Sequence, residues 1–422
     1  MDYLALPRAR EVRGAVAVPA SKSATNRALV LAALAPSPVE VISPLESDDT
    51  DALLDCLRAM GARAVSTPRG VSLSGPLGGP SLVATLDARD SGTAARLLSA
   101  LAAATPGRFR LDGSARLRKR PMAELLDVLR RGGARIRCVG EEGHLPIEVE
   151  GGALRHGRFG VDASRSSQFF SALLLVAVAV EGGLTVRPEG DVASSPYVET
   201  TLEILEGFGH VVRREGDAIV VERGEDRVRS FAVPGDYSSA VPLLAAAGAA
   251  GGSVTVSGLA SPSSAADARA LPVLEAMGIA IERGRGSVTA SFGGGPLAAV
   301  RVAAKDFPDS VPTLAALASL AVGESRFENV AHLRWKESDR IASVEALLRA
   351  AGGEARGDGG DLSVAGGLPS GALAVLPTFG DHRIAMAAAL VSLARGGCLV
   401  EDPGCVSKSY PAFFRELGTL LR

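Results

Sequence analysis

The chain has 422 residues, 47% of them hydrophobic, enough for a sizeable core and more than one ordinary domain needs. Its 45 basic and 47 acidic side chains leave a formal charge of -2, without the basic excess of a nucleic-acid binder, and an aromatic content of 4% provides little surface for stacking single strands. Cys56, Cys138, Cys398 and Cys405 stand too far apart for CxxC pairs and the five histidines are scattered, so free thiols, a reducing compartment and no metal site are expected.

From the N-terminus, "MDYLALPRAREVRG" carries charges where a signal peptide needs an apolar stretch, so a cytoplasmic location is expected. Two kinds of helical segment then alternate. The first kind is apolar nearly throughout and begins with small polar residues: "SKSATNRALVLAALA", "SGTAARLLSALAAA", "SSQFFSALLLVAVAV", "YSSAVPLLAAAGAA", "DSVPTLAALASLAV" and "GDHRIAMAAALVSLA". With Ser23, Gly92, Ser167, Ser239, Ser310 and His382 as markers, the spacings are 69, 75, 72, 71 and 72 residues. The second kind has one leucine stripe and a glycine suited to a C′ cap, at Gly61, Gly133, Gly209, Gly278 and Gly353, with a truncated copy at Gly418. The longest apolar run, Phe169 to Val180, is too short to cross a bilayer and predicts a buried helix, so no membrane partner is expected. Six units of about 70 residues, three per lobe, predict an α/β protein of two lobes.

Helices without a polar face are buried all round, and their N-terminal N–H groups and dipoles favour anions. Several of these junctions carry more cations than capping requires: Lys22, Arg27, Arg96, the run Arg116, Arg118, Lys119 and Arg120, then Lys336, Arg340, Arg383 and Lys408. Any one of them alone is usually a solvated surface charge; together they point to a cleft for phosphate or carboxylate groups. Asp309 in "DFPDS" is either a helix cap or a proton acceptor, and Glu337 in "KESDR" is either a surface ion pair or an acid. His382 lies in an Asp-His-Arg cluster at a helix start, where a structural and a functional role are both open. No glycine-rich nucleotide loop and no G-x-S-x-G elbow is present.

Ten short motifs in order, "PASKSATNRAL", "ESDDT", "DSGTAAR", "RKRPM", "SRSSQF", "SSPYVE", "PDS", "RWKESDR", "GDHRIAMA" and "VSKSYPAF", resemble the enolpyruvyl transferase superfamily, and within it the family whose acceptor is 3-phosphoshikimate. The resemblance implies a two-lobed fold of six βαβαββ units, with residues 1–18 and 236–422 in one lobe and 19–235 in the other. It implies transfer of the enolpyruvyl group of phosphoenolpyruvate to the 5-hydroxyl of 3-phosphoshikimate. The reaction runs by addition and elimination through a tetrahedral intermediate and releases phosphate; no cofactor is expected, and a monomer is. By motif, Lys22, Ser23, Arg27, Ser166, Ser167, Gln168, Ser194, Asp309 and Lys336 would hold the acceptor, Ser23 and Arg27 on its carboxylate and Ser166, Ser167, Ser194 and Lys336 on its phosphate. Lys22, Gly92, Arg120, Gln168, Arg340, Arg383 and Lys408 would hold the donor, with His382 supporting. Asp309 would take the hydroxyl proton, and Glu337 or Lys22 would protonate the methylene carbon. Lobe closure would complete the site.

This sequence departs from the family pattern at Ala20, Asp90, Leu97 and His332, where glycine, asparagine, proline and asparagine are common, so His332 is left outside the expected site. The resemblance implies sensitivity to glyphosate, since members with glycine at the position of Gly92 are typically sensitive. Two other readings stay open. A UDP-N-acetylglucosamine 1-carboxyvinyltransferase would carry a reactive cysteine near residues 110 to 120, where this chain reads "DGSARLRKRPM". A non-catalytic anion-binding repeat scaffold would have no need of Asp309 and Glu337 beside the cations.

Overall fold

The computed structural model describes every residue except Met1, Arg8, Asp226, Ser261, Pro262 and Ala372. Contacts divide the chain into two compact α/β units, Met1–Pro19 with Pro234–Arg422, and Ala20–Val233. Each has its own hydrophobic core.

Among the described residues, five four-stranded sheets share one wiring: a parallel pair, then two antiparallel neighbours. In the 20–233 unit the parallel pairs are Ser230–Ala232 with Val39–Ile42, Val83–Asp87 with Gly107–Asp112, and Gly157–Val161 with Leu184–Pro188. In the other unit they are Val12–Ala17 with Gly252–Ser257, and Arg301–Ala303 with Glu324–Glu328. A three-stranded sheet there pairs Ala374–Leu376 parallel with Cys398–Glu401, which runs antiparallel to Tyr3–Leu6. Period-two alternation explains the strands. In Gly252–Ser257, Val254 and Val256 are buried, while Ser253 and Thr255 on the other face bond the hydroxyls of Ser291 and Thr289 at 2.8 and 2.9 Å. Because Val12–Ala17 pairs with Gly252–Ser257, the discontinuous unit closes only after the chain has passed through the other one.

The apolar segments form the helices Lys22–Leu34, Gly92–Ala104, Ser167–Val176, Tyr237–Ala250, Val311–Ala318 and His382–Arg395. In the last, every residue from His382 to Leu393 is buried. The helices Asp48–Ala59, Ala123–Arg131, Pro196–Gly207, Leu271–Ala276 and Arg340–Ala350 are instead one-sided. Four end at the expected left-handed glycines, Gly61, Gly133, Gly209 and Gly278. Two expectations need correction. After Arg340–Ala350 the left-handed residue is Gly352 (φ 84°), and Gly353 N–H returns to Leu348 O at 2.8 Å, so the first of the paired glycines makes the turn. Gly418 lies within the helix Phe413–Leu420: burial of Leu417 and Leu420 beside it outweighs the helix penalty of glycine, about 1 kcal/mol. No described helix is long and apolar enough to cross a membrane, and the four cysteines are free.

Candidate active site

In the discontinuous unit three buried helices bring their N-terminal ends to one place. Arg383, in the first turn of His382–Arg395, donates through Nη1 to Ser238 O at 2.7 Å and through Nη2 to Ser238 Oγ at 2.5 Å. Ser238 is in the first turn of Tyr237–Ala250. The same Nη2 reaches Oδ2 of Asp309, just ahead of Val311–Ala318, at 3.1 Å. These three helices also pack on one another, so with their starts joined at one guanidinium they run in the same general direction.

Arg340 is the hub of this cluster. It is 1% exposed and bonds Asp309 Oδ1 at 2.7 Å, Glu337 Oε2 at 2.9 Å, and Asp381 at 2.9 Å through Nε and 3.4 Å through Nη2. Asp381, fully buried, also caps its helix by accepting from Arg383 N–H at 2.9 Å and accepts from Ser338 Oγ at 3.1 Å. Burial works against the charge of Arg340, but Asp381, Glu337 and Asp309 raise its pKa well above the usual value. Burial likewise favours neutral Asp309, yet Arg383, Arg340 and Lys336 outweigh it and hold the carboxyl well below the ordinary carboxylate range. Asp309 is thus an anion with 21% of its side chain exposed, gripped by two arginines rather than capping backbone. Glu337 is no surface ion pair either, since its partner is buried and it is itself only 12% exposed.

Placing Arg340 and Arg383 in first turns that hold no acidic residue opposes the helix dipole, at about 0.3–1 kcal/mol each. A fold that accepts this cost, and then adds acids to offset it, is arranged around positive charge. His382 is buried with Nδ1 3.7 Å from Asp381 Oδ1. Lys408 is buried at the end of the short 3-10 helix Pro403–Lys408, which packs on His382–Arg395. His332 is also buried, and burial, then Lys336 and Arg340, push its pKa down to about 3, so it is neutral at pH 7.

In the 20–233 unit, Lys22 at a helix start pairs with Asp49 Oδ2 at 3.0 Å, the two side chains only 10% and 4% exposed. Gln168 Nε2 donates to Thr93 Oγ1 at 3.0 Å, joining the first turns of Ser167–Val176 and Gly92–Ala104. Arg96 is buried, donates to Gly92 O and Pro121 O at 2.9 and 3.2 Å, and lies over the Phe169 ring. A Cβ on Gly92 would collide with the guanidinium groups of Arg120 and Arg96, so these three groups share one corner. Of the run from Arg116 to Arg120, only Arg120 and Leu117 are buried. Arg118 turns outward to Asp112 at 2.8 Å and is 49% exposed. Arg27 is buried and gives hydrogen bonds to Thr201 Oγ1, Ser23 O, Ser171 Oγ and Tyr197 O, and burial lowers its pKa to about 10. Most of its donors therefore serve the fold. Ser166 caps its helix by accepting from Gln168 N–H at 3.3 Å, and Ser167 is buried in the first turn. Ser194 holds a left-handed backbone, φ 58°, which costs a non-glycine residue about 1–2 kcal/mol and is characteristic of functional loops.

Sequence reasoning passed over Asp49, Asp236 and Asp381 as site members, since a lone carboxylate carries no signal. The available clues were "ESDDT", which holds Asp49, the Asp-His-Arg cluster, which holds Asp381, and the shared "GD" ahead of "YSSA" and "HRIA". In the structure Asp236 Oδ2 accepts from Ser238 Oγ at 2.7 Å, as a partner of the residue that holds Arg383.

Residues 7–417 match the family model described as EPSP synthase (3-phosphoshikimate 1-carboxyvinyltransferase). The 3-phosphoshikimate 1-carboxyvinyltransferase of Nitrosomonas europaea is 38% identical over 429 residues, covering 100% of this chain and 99% of that one. The one from Thermococcus kodakarensis is 42% identical over 416 residues, covering 97% and 98%. Among solved structures, EPSP synthase from Acinetobacter baumannii gives a TM-score of 0.81 at 27% identity, covering 99% of this chain and 98% of that one. The enolpyruvyl transferase NikO from Streptomyces tendae, at 21% identity and a TM-score of 0.75 over 97% and 95%, shares the fold.

Proposed function

The chain belongs to the EPSP synthase family, and from that membership we infer that it transfers the enolpyruvyl group of phosphoenolpyruvate to 3-phosphoshikimate, a step of the shikimate pathway. The two units correspond in this reading to two lobes, and the repeated sheet wiring to six βαβαββ units, three per lobe.

The observation that carries the chemical assignment is Asp309 between Arg340 and Arg383. Transfer needs a proton delivered to the methylene carbon of the donor, attack of the 5-hydroxyl on the cation forming at C2, and then loss of phosphate from the tetrahedral adduct together with a proton of the new methyl group, returned to the acid that gave it, which restores the vinyl group. Asp309 takes the hydroxyl proton. In the free protein its two arginines make it a poor base. The anionic donor, bound to Arg340 and Arg383, draws their charge away, so the basicity of Asp309 rises once the donor is in place. Arg120 and Lys408 complete the donor set, with Gly92 leaving room for the Arg120 guanidinium beside it. Ser166, Ser167, Ser194 and Lys336 hold the acceptor phosphate, Ser23 and Arg27 its carboxylate, and Gln168 both substrates. Glu337, 2.9 Å from Arg340, protonates the methylene carbon, with Lys22 as the alternative acid. Fixed arginines offset the mutual repulsion of the two substrates without reorganising during the reaction.

Phosphate release with phosphoenolpyruvate and each acceptor in turn tests this reading. Release is expected with 3-phosphoshikimate and none with UDP-N-acetylglucosamine.

A further inference from the structure

We propose that Asp267 is a positioning residue for Asp309, acting through the hydroxyl of Ser310. The proposal rests on Asp309 being the base of the transfer. Asp267 is 3% exposed, in the short 3-10 turn Ala266–Ala270, and Ser310 is fully buried. Ser310 Oγ donates to Asp267 Oδ1 at 2.6 Å.

The use of that hydroxyl is unusual for its place. Ser310 stands at the N-cap of Val311–Ala318, where a serine normally accepts from a backbone N–H two or three residues on. Here it makes no such bond, and its backbone is helical (φ -86°, ψ -17°). Pro312, at the second helical position, has no N–H to offer, and the hydroxyl of Ser310 instead donates to Asp267. Ser310 adjoins Asp309, whose two carboxylate oxygens each meet a different arginine, at 2.7 and 3.1 Å. Such a fork tolerates little movement of the Asp309 backbone, and anchoring the next residue restricts that movement.

The other member of the pair is held in the same manner. Asp236 Oδ2 accepts from Ser238 Oγ, whose oxygen accepts from Arg383 Nη2. An aspartate and serine couple thus steadies each side of the Arg383–Asp309 contact. Asp267 also favours the charged form of Arg383, alongside Asp309 and Asp236 and against burial.

The test compares Ser310→Ala, Asp267→Ala, Asp267→Asn and Asp267→Leu with the parent and with Asp309→Ala, measuring kcat and both KM values per folded molecule. Misplacement of a catalytic group by about 1 Å costs up to about 100-fold. Ser310→Ala and Asp267→Ala are therefore expected to lower kcat at least about fivefold, with both KM values within about threefold of the parent. Asp267→Asn still offers an oxygen to Ser310 and is expected to recover most of the loss, whereas Asp267→Leu, similar in shape but unable to accept from the hydroxyl, is expected to be as impaired as Asp267→Ala, which a merely space-filling role would not require. A Ser310→Ala loss under about fivefold, Asp267→Asn as impaired as Asp267→Ala, or Asp267→Leu as active as Asp267→Asn, overturns the proposal. If the Asp267 variants do not fold, Ser310→Ala decides alone. Asp309→Ala with parental turnover would refute the base assignment itself, and that result is read separately from the Ser310 result.

Discussion

Arg340→Ala removes a buried cation from three carboxylates at once. Its four contacts reach Asp309, Glu337 and Asp381 between 2.7 and 3.4 Å. Asp309 keeps Arg383, and both Asp309 and Glu337 keep some access to solvent. Asp381 is fully buried, and most of the penalty falls on it. Removing one partner of a buried pair costs about 3–5 kcal/mol, and the retained partners place this case near the lower end. For a cooperative unit of this size, 1 kcal/mol moves Tm by about 2–4 °C, so a fall of about 6–12 °C is expected at pH 7. The pH dependence has a definite sign. The folded-state pKa of Asp309 is depressed, so its pairing stabilises the fold above the unfolded value of about 3.9 and is lost as pH falls through the folded value. The variant lacks part of that stabilisation, and its Asp309, left without Arg340, takes up a proton earlier on acidification. The Tm gap between parent and variant is therefore largest near neutrality and narrows below about pH 5. Differential scanning calorimetry from pH 4 to 8 measures it. A gap under about 2 °C at pH 7, or one unchanged at pH 4, would refute the hub role of Arg340.

Gly92→Ala should fold, because the atoms its Cβ meets are the ends of arginine side chains, but it should raise KM for phosphoenolpyruvate about tenfold and weaken competition by glyphosate against the donor. Steady-state kinetics with varied donor checks both effects. Arg120→Ala should raise the donor KM at least tenfold, whereas Arg118→Ala, exposed and paired with Asp112, should change it less than about twofold. Glu337→Gln should slow deuterium entry from solvent into the donor methylene about 100-fold, whereas Lys22→Met should chiefly raise KM; the reverse pattern would make Lys22 the acid.

Much of this was legible in the chain because two periods coincide. Apolar runs with polar starts recur about every 70 residues, and each became a buried helix with its first turn among polar partners. The stripe-and-glycine segments were legible by the same logic, except where paired glycines left the turning residue open at Gly352 or where core packing overrode Gly418. What the pattern hides is which end of a long side chain goes where. Arg118 and Arg120 are two residues apart with opposite fates, and Arg27 lies in a motif for anions yet spends most of its donors on neighbouring helices. Asp381 was invisible as a partner of Arg340 because the two lie 41 residues apart, and Asp236, bonded to the nearby Ser238, because the Arg383 that this serine holds lies 145 residues beyond it.

The measurement that bears most directly on the central claim is NMR detection of products from phosphoenolpyruvate and 3-phosphoshikimate, for the parent and for Asp309→Ala with its fold verified. Phosphate and a vinyl ether product are expected in equal amounts from the parent, nothing from either substrate alone, and a rate lower by about 10²–10⁴ in the variant. Absence of the vinyl ether from the parent, or an Asp309→Ala variant that turns over at the parental rate, would contradict the claim.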